Sequence, residues 1–99
     1  MDDLIVTPDQ RVIGRLDPVF KGGFDLEAAQ VIQDGPASLV VRYVSRTDRP
    51  AELERGIAVA LRNRVGDMQI RFDSVSAIPA GPNGKFRAVI NTWASSGKD

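Results

Sequence analysis

Two short stretches hold the side chains best suited to chemistry. Near the end, Pro79-Ala80-Gly81-Pro82-Asn83-Gly84 is almost pure loop chemistry, and it delivers Lys85 with Arg87 two residues on. Lysine is a compact point charge on a flexible stem, so a loop can present it to an anion that the domain does not itself enclose. A solvated lysine in a surface turn is the plainer reading of the same residues. Gly84-Lys85 is not a phosphate-binding loop: the first glycine of that pattern would fall on Pro79, and the residue that should supply a hydroxyl to Mg²⁺ is Phe86. At the other end stand Asp2 and Asp3. Adjacent residues of a strand point to opposite sides, so the two carboxylates make a poor shared site and no metal is expected there.

What the chain lacks narrows the chemistry further. It has no cysteine, which excludes disulfides, thiolate nucleophiles and cysteine zinc sites. It has no histidine, which excludes a Ser-His-Asp triad and any imidazole base. Thirteen basic residues balance 13 acidic ones, so the basic excess of a general nucleic-acid binder is missing, as is a polybasic anchor for anionic lipid. No run approaches the roughly 18 apolar residues of a membrane span. Met1-Asp2-Asp3 is acidic where a signal peptide carries positive charge. These points predict a soluble, cytoplasmic chain with no nucleic-acid or membrane partner, and leave its oligomeric state open.

The elements that must position the two stretches follow from local pattern. Leu4-Ile5-Val6-Thr7, a turn at Pro8-Asp9-Gln10, and Arg11-Val12-Ile13-Gly14 read as a β-hairpin. Leu16-Asp17-Pro18-Val19-Phe20 reads as a one-turn helix with Asp17 as N-cap, ended by Gly22-Gly23. Glu27 to Gln33 is β-prone, Asp34-Gly35-Pro36 is a turn, and Ser38 to Val44 is the strongest strand. Its near-continuous apolar run suits a central position. In Pro50 to Val65, Leu53, Ile57, Leu61 and Val65 recur every fourth residue, which predicts one long amphipathic helix. Asp48 or Arg49 is its expected N-cap and Gly66 its C-terminal stop. Gln69 to Asp73 alternates, with Ile70 and Phe72 on one side. Strand, helix and strand with short connections favour a parallel pair. The predicted fold is α+β: a small mixed sheet with a ββαβ core, one long helix over one face, and a preceding hairpin and one-turn helix. A single domain is expected over residues 1–94, with a flexible tail at 95–99.

Read together, Asp2-Asp3-Leu4-Ile5-Val6-Thr7-Pro8-Asp9, Gly14-Arg15-Leu16-Asp17-Pro18-Val19-Phe20, Ala29-Gln30-Val31-Ile32-Gln33 and Pro79-Ala80-Gly81-Pro82-Asn83-Gly84-Lys85-Phe86-Arg87 form a set. In this order and spacing the chain resembles the small C-terminal domain of the adenylate-forming superfamily of acyl- and aryl-CoA synthetases. It looks most like the phenylacetate–CoA ligase group and its CapK-like relatives. In that family a large N-terminal domain binds ATP and a carboxylic acid, and the small domain closes over it. The resemblance implies that Lys85 is the catalytic lysine of the adenylation pose, contacting the acyl carboxylate and phosphate region. It implies that Asp2 is the hinge, and that Asn83, Gly84 and Arg87 support the lysine loop. ATP and Mg²⁺, with CoA as one candidate thiol, are implied for the complete enzyme, but no cofactor for this chain alone.

Three departures qualify that likeness. The family's Gly-Arg before the hinge has no counterpart ahead of Met1, Val6 stands where many relatives carry lysine, and Gln10 stands where glycine is frequent. The expected function is that of a detached or excised lid, supplying lysine and hinge to a separate N-terminal adenylation domain. A free-standing α/β module that binds a small ligand or a partner is the alternative. With neither a nucleotide-binding motif nor an imidazole or thiol catalyst, the purified chain should give no ATP–pyrophosphate exchange with any carboxylate. A radiolabelled exchange assay measures this directly, and turnover by a clean preparation would overturn the reading.

Overall fold

The helix α1 occupies Pro50–Val65, the span that its apolar period predicts. Pro50 stands in its first turn, where a missing N–H costs nothing. Arg49 is the N-cap and makes no side-chain capping bond, so of the two expected caps the structure selects the one with less to offer. Glu52 near the start and Arg62 and Arg64 near the end suit the helix dipole. Gly66 stops the helix at φ 83°, and its N–H donates to the Arg62 carbonyl at 2.9 Å. Leu53, Ile57, Leu61 and Val65 are all buried, as their spacing requires.

The computed structural model describes residues 4–14, 16, 24–78 and 89–93. The predicted one-turn helix past Leu16, the loop at 79–88 and the tail lie outside them. Within the described residues the strands are β1 (Ile5–Val6), β2 (Val12–Ile13), β3 (Leu26–Gly35), β4 (Ser38–Ser45), β5 (Gln69–Ser74) and β6 (Val89–Asn91). β1 and β2 form the expected hairpin, with Ile5 opposite Ile13. Its turn puts Gln10 at φ 68°, a left-handed conformation that glycine adopts more easily. The other four strands form one mixed sheet in the order β5-β4-β3-β6. β3 and β4 are antiparallel across the Gly35–Ser38 turn, and β4 and β5 are parallel, as expected for strands joined through a helix.

One strand was not foreseen. Val89–Asn91 adds to the far edge of the sheet, parallel to β3, with Val31 opposite Val89 and Gln33 opposite Asn91. Three residues after a stretch rich in proline and glycine carry too little period to be read as a strand.

The register explains where the core sits. Phe72, Val41, Val31 and Val89 form one row across the sheet. Val31, Val41 and Val89 are buried, and Phe72 packs against the same cluster, which includes all four buried residues of α1. Tyr43 is buried beneath the helix, meets the Phe72 ring edge-on at 6.1 Å, and donates its hydroxyl to Glu54 of α1. Burial is the main cause that raises the Tyr43 pKa, followed by the bond to Glu54, so this phenol stays protonated and joins helix to sheet. The other face of the sheet carries half-buried Ile32, Val40 and Ile90 beside the pairs Arg42–Asp73 and Arg71–Asp34.

Two substitutions on α1 separate packing from propensity. Leu61 is fully buried and Val59 is 58% exposed. Leu61→Ala should cost about 3 kcal/mol, lowering the melting temperature by on the order of 10–20 °C. Val59→Ala should change stability by less than about 0.5 kcal/mol. Thermal unfolding followed by circular dichroism compares them.

Candidate functional site

The residues to which the sequence assigns chemistry, Asp2, Asn83, Gly84, Lys85 and Arg87, all lie outside the described residues. The strands that flank them are described, and these meet. Leu4 and β1 follow Asp2 in the sequence, while β6 follows the segment that bears Lys85. The Asn91 side-chain amide donates to the Leu4 carbonyl at 2.9 Å, joining residues 87 positions apart. The two chemically distinctive stretches therefore precede strands that touch, at the Asn91 end of β6 rather than the Val89 end.

The junction is built from a row of the sheet that changes character. Ile70, Leu39, Gln33 and Asn91 lie side by side across β5, β4, β3 and β6. Leu39 is in the apolar core, but Gln33 and Asn91, 0% and 4% exposed, are carboxamides. They face the hairpin. Gln33 Oε1 accepts from the Val6 N–H at 2.9 Å and from Asn91 Nδ2 at 2.8 Å. Gln33 Nε2 donates to the Val6 carbonyl at 2.8 Å and to the Gly35 carbonyl at 2.9 Å. A primary carboxamide has two protons and two good acceptor positions, so Gln33 is fully satisfied. Thr92 Oγ1 adds a bond to the Gln33 main-chain carbonyl at 3.1 Å.

The cause is an edge. β1 pairs with β2 on one side only, and its other edge exposes the Leu4 carbonyl and the Val6 amide and carbonyl. Ile5 is fully buried, which sets that edge against the sheet, partly shielded from water. A buried backbone group left without a partner costs about 1–3 kcal/mol. The two carboxamides supply what a neighbouring strand would have supplied. By local pattern Gln33 is only the end of a strand. The available signal was period two: Gln33 follows Val31 on the same face, and a polar residue there needs a buried partner.

A second polar group holds the hairpin turn. Thr7 Oγ1 donates to Asp9 and accepts from the Arg11 N–H at 2.9 Å, while Arg11 Nε bonds Asp9 at 2.9 Å. The Arg11 guanidinium also reaches the Arg64 carbonyl in the last turn of α1 at 3.5 Å. Pro8, Asp9, Arg11, Val65, Gly66 and Asp67 line an open crevice of about 220 Å³ there. With Arg11 already engaged by Asp9 and the helix end, the crevice offers little to hold an anion. Among the described residues no group of three or more acidic side chains is placed to hold a metal ion. No helix among them is long and apolar enough to cross a membrane.

The Thr7 hydroxyl, more than any other group, holds Asp9 below the usual carboxylate range, and Arg11 adds to the effect. A depressed carboxyl stabilises the fold above its unfolded pKa, and that contribution is lost as pH falls through the folded one. In Thr7→Val the Asp9 carboxyl should therefore titrate at higher pH than in the wild type, as carbon-detected NMR titration would record. An unchanged titration would mean that the Thr7 bond has no electrostatic effect.

Comparison with known proteins adds one finding. The family described as CapK C-terminal domain matches residues 5–92, from β1 to the end of the β6 segment. No curated protein and no solved structure matches the chain.

Proposed function

This chain belongs to the CapK C-terminal domain family, and on that premise we propose that it is the small C-terminal domain of an adenylate-forming acid–thiol ligase. Its partner is an N-terminal adenylation domain, in the same polypeptide or a separate one, which binds ATP, Mg²⁺ and the carboxylic acid. CoA is one candidate acceptor for the activated acyl group. An ATP-dependent reaction of this kind belongs in the cytoplasm. The observation that carries the reading is the meeting of Leu4 and Asn91. The resemblance puts a hinge and a lysine at opposite ends of the sequence, and a lid needs the two mechanically connected.

In this reading Lys85 reaches into the closed adenylation site. Negative charge builds up as a carboxylate oxygen attacks the α-phosphate of ATP, and a positioned ammonium group lowers the energy of that state. Asn83 and Gly84 shape the loop that presents the lysine, and Arg87 adds positive charge beside it. Asp2 marks the point about which the domain turns between adenylate formation and thioester formation. Such gating motions often set the turnover of enzymes with mobile domains.

In a ligase assembled from this chain and its adenylation core, Lys85→Ala should slow acyl-adenylate formation by roughly a hundredfold. Thioester formation from preformed adenylate should be nearly unchanged, because the lysine stabilises only the first transition state. Rapid-quench measurement of each half-reaction tests this. Equal slowing of both would make Lys85 a structural residue.

A further inference from the structure

The carboxamide junction does more than satisfy an edge. Val6 exchanges two bonds with Gln33, one through its N–H and one through its carbonyl. This is the bonding that a residue of a paired strand would make. Gln33 is in turn seated by Asn91 of β6 and by its own bond to the Gly35 carbonyl. The load path from β1 to β6 is thus a continuous chain of bonds, each 2.8–2.9 Å long, with the Gln33–Asn91 bond buried and the others partly so.

We infer that Gln33 is a positioning residue whose carboxamide, seated by Asn91, locks β1 to β6, so that a displacement of β1 carries the strand following the Lys85 loop with it. The functional half of this inference rests on the ligase reading above; the lock itself does not. A hairpin of two-residue strands is marginal by itself and would otherwise be held by the packing of Ile5 and Ile13 and by the Arg11–Arg64 contact at its turn. Lateral hydrogen bonds are directional, whereas apolar packing permits sliding and rotation. The lock therefore fixes orientation as well as attachment.

Gln33→Glu provides a test that general loosening cannot imitate. The new carboxyl keeps the shape of the carboxamide. Protonated, it can still donate toward the Val6 or Gly35 carbonyl; ionised, it places negative charge against both. Among the described residues, the polar groups bonded to this side chain are the Val6 amide and carbonyl, the Gly35 carbonyl and the Asn91 carboxamide, none of which titrates. Burial and the Val6 and Gly35 carbonyl oxygens oppose ionisation of the new carboxyl more than the Val6 N–H and the Asn91 amide favour it. Its pKa therefore rises, and the lock should hold at low pH and open as pH rises.

The experiment is hydrogen exchange on the full chain, with protection factors corrected for intrinsic exchange. In wild type the Val6 protection factor should be flat from about pH 5 to about pH 8, and in Gln33→Glu it should fall at least tenfold over that range. The Val31 and Val41 amides should change little in either. Asn91→Ala, a milder truncation, should lower Val6 protection several-fold at every pH. A Val6 amide that ignores both substitutions, or loses protection only together with Val31 and Val41, overturns the lock. With the adenylation core added, Gln33→Glu should slow adenylate formation relative to wild type at the higher pH and match it at the lower. Opening of β1 without that slowing overturns the functional half. If the wild-type pair forms no adenylate at all, the ligase reading falls, and the exchange data still decide the lock.

Discussion

The unsatisfied edge of β1 is the constraint on which the arrangement depends. Ile5 is fully buried, so the hairpin's outer backbone groups are drawn against the sheet and partly shielded from water. A further strand would be one solution, but the sheet instead turns two side chains toward the hairpin. Gln33 and Asn91 become a partner for β1 without any extra backbone, and all four hydrogen-bonding positions of the Gln33 carboxamide are filled. Such a network is worth more than an apolar contact of the same size only when it is complete, since a half-satisfied one costs more than it contributes.

The division of the inner face follows from that choice. Under α1 the sheet rows are apolar, and Leu53, Ile57, Leu61 and Val65 meet Val31, Leu39, Val41 and Val89 in one cluster. The row Ile70–Leu39–Gln33–Asn91 begins apolar at the β5 edge and ends polar at the β6 edge. Helix and hairpin therefore use one face by different means. Apolar packing holds the helix, and directional bonds joined to the packing of Ile5 and Ile13 hold the hairpin. The Tyr43–Glu54 bond adds one polar fastening under the helix, and the Arg11–Arg64 contact ties the hairpin turn to the end of α1.

For a domain of the CapK C-terminal family this arrangement has a mechanical consequence. The segment that leads in through Leu4 and the segment that leads out of the Lys85 loop are held at one place by residues from β3 and β6. In the proposed ligase, the strands that follow Asp2 and Lys85 in sequence would thereby move together. Rigid support is what a catalytic group needs if a turn of the whole domain is to place it within the tolerance of the chemistry.

Much of this was legible in the sequence because it rests on local rules. The limits of α1 follow from Pro50, Gly66 and a four-residue apolar period, and the turns follow from Pro8-Asp9-Gln10 and Gly35-Pro36. The alternation in Gln69 to Asp73 announces a strand with one inner face. The assigned site residues, Asp2, Asn83, Gly84, Lys85 and Arg87, were legible only through likeness to a family, since loop composition does not state what a loop does. Tertiary structure alone decided that Val89–Asn91 is a strand and that the hairpin docks on Gln33 and Asn91. The physical reason is separation: Gln33 finds Val6 at 27 residues and Asn91 at 58. Local period and turn chemistry give a side chain its face, but its partner is chosen only when distant strands are brought into register.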